Sequence, residues 1–449
     1  MQTPVPGFVS GFGREMTPQP PPGLTISEKI LSAHSKGICR AGDSVVCRVD
    51  SAMATDGSAP MAIDYFRKMG GKVLREPEKV VFALDHYAPP DNPATVALQD
   101  SIRDFTKAQG NVLYEIGAGV GHQLMVEHGH VLPGGLVLGA DSHAVAYGSL
   151  NAFSTGIGSS DLAAVMLTGK LWLKVPESIH IHLSGKLSVG VDAKDIALEL
   201  NRRLDSDFTS YKTLEFAGDG VTSLSLEERM VLANMSTEAG AKAGVFEADE
   251  KTFAYLRQHS GFEKTDTAVV ADPGAIYAAT EQIDLSALSP RLALPPRNGA
   301  AAEIVEIEKS VGQPVDMVYL GTCTGGRSSD FEKALNVIRQ GGAKDPRVQL
   351  IITPASDRIF SDLGTSGMLS EFIKFGALVM TPGCGACCGT CGGIPGDGKI
   401  VLSAANRNFT GRMGNAKADI YLASPEACAA AALTGVITDP RSILGKAMK

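Results

Sequence analysis

"TPGCGACCGTCGG", residues 381–393, places four of the chain's eight cysteines within eight positions and surrounds them with glycine. Two overlapping Cys-x-x-Cys pairs result, Cys384/Cys387 and Cys388/Cys391. A structural zinc normally pairs two such knuckles ~15–20 residues apart, because a tetrahedron needs ligands from opposing directions. Adjacent Cys387 and Cys388 point differently and cannot easily serve one metal together. One pair is therefore expected to bind, completed by a ligand from elsewhere in the chain. Cys323, in "GTCTGG" (321–326), follows an apolar run and has the environment of that third ligand. Glycines let backbone approach a metal closely and leave N–H groups free to hydrogen-bond sulfur. Three thiolates on a four-iron cluster leave one iron without a protein ligand, open to a small molecule. Cys39, Cys47 and Cys428 read as core residues. Cys388 and Cys391 read as spectators beside the cluster, or as substitutes when it is lost.

Outward from this loop one pattern recurs. "VVFAL" (80–84) runs into Asp85-His86, and "GLVLGA" (135–140) into Asp141-Ser142-His143. "MVYLGT" (317–322) leads to Cys323, "ALVMTPG" (377–383) to Cys384, and "KIVLSAA" (399–405) to Asn406-Arg407. Each is a short apolar strand, then small residues, then a reactive side chain. Open α/β sheets bind ligands at the carboxyl ends of their strands. Five strand ends carrying Asp, His, Cys and Arg point to one composite site assembled from distant parts of the chain.

With 449 residues, the chain exceeds the ~250–300 at which single cores stop growing, so several domains are expected. Short apolar runs alternating with helical stretches indicate α/β domains with largely parallel sheets. Thr25 and Glu28 form a capping box for a helix through "SEKILSAHSKG", closed by Gly37. Near the C-terminus Ser424 is the N-cap, Pro425 the first helical residue and Gly435 the stop. Val175-Pro176 and "LPPRNGA" (294–300) mark junctions, giving a proline-rich arm at 1–23 and α/β domains at 24–176, 177–298 and 299–449. A formal charge of −8 without a long basic run argues against nucleic acid. No stretch approaches the ~18 uninterrupted apolar residues of a membrane span. The arm has six prolines in its first 22 residues and no apolar core of a signal peptide. A cytoplasmic, reducing location follows, where clustered cysteines mean metal or redox chemistry rather than disulfides.

In this order, "ALDH" (83–86), "GVGHQL" (119–124), "GADSHA" (139–144), "ANMSTEAGAKAG" (233–244), "GTCTGG", "PGCGACCG" (382–389) and "SAANRNFTGRMG" (403–414) resemble the aconitase superfamily. Within it the chain is similar to large subunits of the 3-isopropylmalate dehydratase or homoaconitase type, over roughly residues 25 to 445. The resemblance implies three α/β/α domains around a 4Fe–4S cluster, without the swivelling fourth domain, which a separate small subunit supplies. It implies a hydro-lyase isomerising a hydroxy di- or tricarboxylate through an alkene. By the same resemblance Cys323, Cys384 and Cys387 are the cluster ligands. Asp85 and His86 match a pair that protonates the departing hydroxyl. His122 with Asp141, and His143 with Glu238, match two further His–carboxylate pairs. Asn234 and Asn406 match residues beside the cluster, and Ser142, Arg407 and Arg412 match groups holding substrate carboxylates.

The chemistry needs such residues whatever the name. Hydroxide is a poor leaving group, so a Lewis-acidic iron must polarise the C–O bond while an imidazolium supplies a proton. Carboxylates beside histidines raise imidazole pKa and fix the tautomer. Arginine forks pin a carboxylate bidentately. Three departures from the family pattern fall near the site: Gly325 in the place of an Asn, Thr55 before Asp56, and Ala144 where Thr is common. The reading that leads is 3-isopropylmalate dehydratase of leucine biosynthesis, with homoaconitase, citramalate- and dimethylmalate-type dehydratases beside it. A zinc hydrolase using the Asp/His strand ends and an RNA-binding regulator are the readings from other classes.

Overall fold

The computed structural model describes residues 23–297 and 301–445, so the proline-rich arm, apart from Gly23, lies outside the described residues. Three parallel sheets carry the fold. The first orders its strands Val112–Tyr114, Val80–Ala83, Ser51–Thr55, Leu136–Gly139 and Phe153–Gly156, all parallel. The second orders Ala243–Phe246, Thr213–Ala217, Ser178–Ser184 and Ala279–Asp284, again all parallel. The third has seven strands. Its parallel part runs Asp419–Leu422, Ile400–Ser403, Met317–Gly321, Gln349–Thr353 and Ala377–Val379. Two antiparallel strands, Arg291–Ala293 and Ile304–Glu306, extend one edge. Arg291–Ala293 lies before the 294–300 junction yet pairs with this sheet. A two-stranded ribbon, Ser44–Arg48 with Lys170–Lys174, stands apart.

All five apolar runs of the sequence are strands. In the first sheet, order reverses beside Ser51–Thr55; in the third, beside Met317–Gly321. Such reversals open a crevice at the carboxyl edge. The residues following these strands are Asp56, Asp85-His86 and Asp141 in one sheet, and Cys323, Cys384 and Asn406 in the other.

Helices cover the sheets and bury aromatic anchors against them. Phe66 and Phe105 meet edge-on at 5.9 Å in the first unit, Phe216 stacks on Phe246 at 4.4 Å in the second, and Phe331 meets Phe372 at 5.6 Å in the third. The capping box at Thr25–Glu28 is formed, but the helix, Ile26–His34, ends before Gly37. Ser35 Oγ donates to the Ser32 and Gly37 carbonyls and so competes with the next helical turn. The helix Pro425–Thr434 has Ser424 as N-cap and a left-handed Gly435 as its stop. No helix among the described residues is long and apolar enough to cross a membrane.

The first and second units meet through the segment Ser142–Leu150, which packs on the strand Ala243–Phe246. A Cβ on Gly148 would stand 1.8 Å from the Gly244 carbonyl oxygen, and that carbonyl cannot yield without moving its sheet. Gly148→Ala should therefore lower stability by about 1–3 kcal/mol, as overpacking does, read as a lower thermal midpoint by circular dichroism. An unchanged midpoint would show that this contact is slack.

Candidate functional site

A narrow cavity of about 50 Å³ lies between the carboxyl edges of the first and third sheets. Its wall includes His86, His122, Asp141, Ser142 and His143 from one side, and Cys323, Cys384, Asn406, Arg407 and Arg412 from the other. Ten residues foreseen as site residues thus share one cavity. Asp85, Asn234, Glu238 and Cys387 do not line it, but each bonds to a residue that does.

On the first-sheet side, carboxylates and imidazoles alternate. Asp85 Oδ1 accepts from His86 Nδ1 at 2.8 Å, and its Oδ2 accepts the Gly121 N–H at 2.7 Å. With Nδ1 held by Asp85, His86 Nε2 is left facing Asp141 Oδ2 at 3.6 Å. Asp141 Oδ1 pairs with His122 Nε2 at 3.0 Å and accepts the His143 N–H at 2.8 Å. His143 Nε2 pairs with Glu238 Oε1 at 2.9 Å. The same Glu238 oxygen receives Arg407 Nε at 2.7 Å, and Arg407 Nη1 donates to Ser142 Oγ at 2.9 Å.

Burial would push the His86 pKa down, but the Asp85 and Asp141 carboxylates override it and hold the imidazole well above its usual value. His143 behaves alike: burial opposes, Asp141 and Glu238 prevail, and its pKa rises. Burial alone would raise the Asp141 carboxyl, yet His122 and His143 hold it well below the ordinary carboxylate range. Glu238 is also lowered, by His143 and Arg407 against its burial.

On the third-sheet side the thiols meet nitrogen donors. Cys323 Sγ accepts Asn234 Nδ2 at 3.2 Å and Asn406 Nδ2 at 3.5 Å. Cys387 Sγ accepts Arg412 Nη2 at 3.3 Å. Cys384 Sγ stands 4.0 Å from Thr322 Oγ1. Three buried sulfurs with N–H donors aimed at two of them suit thiolates that ligate an iron–sulfur group. Arg412 Nε is buried without a partner among the described residues, a donor left over for an anion.

Of the other two thiols of the loop, Cys388 meets both the Cys384 and the Cys391 thiols. Cys388 Sγ approaches the His86 carbonyl at 3.6 Å, and Cys391 Sγ the Gly385 carbonyl at 2.9 Å. Cys39, Cys47 and Cys428 are buried in the cores. His122, Asp141 and His143 stand within 4.8 Å of one another, as do Asp56, Asp85 and His86. Either trio could hold a metal by distance, but Asp85 and Asp141 already accept the hydrogen bonds described. Of the two histidines of "EHGHVLPGG", His128 is exposed and stacks on Tyr114, while half-buried His130 pairs with the Tyr114 hydroxyl at 2.7 Å.

The sequence reading missed three supports. Asp56 accepts the His86 and Tyr87 N–H groups at 2.9 and 3.1 Å and so shapes the turn that aims His86. Tyr147 OH meets His122 Nδ1 at 3.3 Å. Thr322, beside the thiols, takes a φ of 62°. An Asp directly after a strand was a visible signal for Asp56; the other two carry none.

Two sheets whose carboxyl edges jointly present Asp/His pairs, arginines and cysteines define a composite acid–base and thiolate site. The chain belongs to the aconitase family: the family model described as "Aconitase family (aconitate hydratase)" matches residues 28–435. It is 44% identical over 422 residues to the 3-isopropylmalate dehydratase large subunit 1 of Thermotoga maritima, covering 94% of this chain and 100% of that one. It is 43% identical over 422 residues to large subunit 2 of the same enzyme from Archaeoglobus fulgidus, with 94% and 100% covered. With the 3-isopropylmalate dehydratase large subunit of Elusimicrobium minutum it shares 42% over 424 residues, covering 94% and 99%.

His86 should carry its proton well above pH 6.5, the ordinary histidine value. Its stabilising contribution is then complete below that pH and lost as pH rises through the raised value. Asp85→Asn should bring the His86 pKa down towards its ordinary value, followed by NMR titration of labelled imidazoles. An unmoved titration would show that Asp85 does not set the charge of His86.

Proposed function

We propose that this chain is the large subunit of an iron–sulfur hydro-lyase, a 3-isopropylmalate dehydratase that converts 2-isopropylmalate to 3-isopropylmalate through the alkene in leucine biosynthesis. The observation that carries the reading is the single cavity joining a proton-bearing His86 to two arginines and to cysteine thiols. The relatives named above support the substrate, and their description as large subunits supports a small-subunit partner carrying the swivelling domain. We place the enzyme in the cytoplasm, consistent with eight free thiols, and divide it at 24–176, 177–298 and 299–449.

Cys323, Cys384 and Cys387 would hold a 4Fe–4S cluster. When bound, it supplies a Lewis-acidic iron that polarises the substrate hydroxyl. The chain's own groups do the rest. His86 Nδ1–H is fixed by Asp85, so its Nε2–H is the proton presented to the departing hydroxyl. Arg412 offers its unpartnered Nε, and Arg407 and Ser142 offer donors across the cavity, for the substrate carboxylates. Asp141 and Glu238 orient His122 and His143 and keep the cavity wall charged. Asn234 and Asn406 hold the Cys323 sulfur in one orientation through N–H donors.

The test is co-expression with the small subunit, anaerobic purification and assay on 2-isopropylmalate, homocitrate and citramalate. Turnover of 2-isopropylmalate is expected; a preference for either other acid would overturn the substrate. Serine at Cys323, Cys384 or Cys387 should abolish the visible cluster absorbance, whereas serine at Cys388 or Cys391 should leave it. Retention in Cys384→Ser with loss in Cys391→Ser would show that the ligand set is misassigned.

Arg412→Lys keeps the charge and loses the planar fork. It should raise KM and cut kcat by about tenfold with the cluster spectrum intact, since a charge-assisted contact contributes ~1.5–3 kcal/mol. Unchanged kinetics with normal assembly would remove Arg412 from substrate binding.

A further inference from the structure

Lys194 has no solvent exposure at all, 0%, although it sits in the first turn of the helix Ala193–Arg203. Its Nζ leaves the second unit and donates to two backbone carbonyls of the third, Ala404 at 2.8 Å and Ala405 at 2.9 Å. The Ala404 oxygen also accepts Thr324 Oγ1 at 3.2 Å. Gly325 presses on the same residue: a Cβ there would meet Ala404 Cβ at 2.7 Å and Ala404 O at 2.8 Å. Ala404 is thus enclosed by an ammonium, a hydroxyl and a bare backbone, the last two adjoining Cys323. The chain then continues directly into Asn406, bonded to Cys323 Sγ, and Arg407, bonded to Ser142 and Glu238.

A buried ammonium is costly, and well-packed apolar groups in place of such a charge and its partners are commonly no less stable. Burial draws the Lys194 pKa down to about 8 even with Asp330 and Asp192 nearby. Packing alone gives no reason for a lysine here. The two strand-end carbonyls it holds, that of Ala404 shared with Thr324 Oγ1 and that of Ala405, do give one.

We infer that Lys194 is a positioning residue for the proposed reaction: by pinning the Ala404 and Ala405 carbonyls it fixes where Asn406 and Arg407 stand against Cys323 and Ser142. Its kinetic consequence rests on the hydro-lyase reading, while its effect on the 404–412 segment does not. Loss of the ammonium frees the strand end, so Arg407 drifts from the carboxylate it is to hold and Asn406 from the sulfur. Both changes act on substrate placement. A mere loss of folded enzyme would lower apparent kcat and leave KM where it was.

The experiment compares Lys194→Met and Lys194→Gln with the wild type in the two-subunit enzyme purified without oxygen. Hydrogen–deuterium exchange and steady-state kinetics on 2-isopropylmalate are measured on the same preparations. Exchange across 404–412 should quicken about tenfold with the strand 213–217 unchanged, and KM should rise roughly fivefold as kcat falls. Should the methionine variant not fold, Lys194→Gln carries the same comparison. Thr324→Val, which removes one bond to the Ala404 carbonyl without changing charge, should shift both readings in the same direction by less. Exchange within about twofold of the wild type, or a KM within about twofold despite faster exchange, overturns the inference. Wild-type enzyme inert towards all three hydroxy acids would overturn the hydro-lyase reading, and the exchange of 404–412 would still decide whether Lys194 holds that segment.

Discussion

One backbone hydrogen bond, from the Cys384 N–H to the Asp85 carbonyl at 3.0 Å, ties the carboxyl edge of one sheet to that of another. Asp85 is buried, so its backbone and side-chain acceptors all need partners. Its carbonyl takes the cysteine loop, and its carboxylate takes His86 and Gly121. Two further bonds repeat the stitch, Val120 N–H to Ala355 C=O and Asp357 N–H to Ala118 C=O, each at 2.8 Å. With the strand ends held at backbone distance, the side chains that follow them have no room to face anything but each other. The site is a consequence of that closeness.

Closeness forces charge alternation. Aspartates and histidines confined beside one cavity would repel or desolvate one another unless opposite charges interleave, and they do: Asp85, His86, Asp141, His143, Glu238, Arg407. Removing one member would leave its neighbour an unpaired buried charge, a loss of about 3–5 kcal/mol in comparable pairs. The network therefore holds protonation states and geometry together, so a change to Glu238 reaches both an imidazole and a guanidinium.

What the sequence displayed was local. A strand followed by a reactive residue occupies under ten positions, and helix caps occupy four, so both could be read directly and both are formed. The composite nature of the site was also legible, because five strand ends carrying chemistry have few other uses. Pairings across units were not legible from spacing; that of His143 with Glu238 came only from the family resemblance. Glu238 and Arg407 are separated by the whole third sheet's first strands, and no spacing announces that they share a contact. Lys194 follows Asp192 in an amphipathic helix, where a lysine ordinarily faces water; only the packed third unit shows where its ammonium goes. Gly325 looked like a departure from its family's motif, and its meaning is the space that Ala404 occupies.

Arg407 grips a carboxylate, that of Glu238, and a hydroxyl, that of Ser142. On the proposed reading, an incoming acid displaces or shares these internal partners. The net gain on this arm is then a difference between two similar contacts and is small. Arg412, with a buried nitrogen lacking any such stand-in, contributes its contact in full. On the proposed reading, the two arginines, five residues apart on one loop, therefore divide their labour: Arg412 anchors the acid and Arg407 adjusts to it.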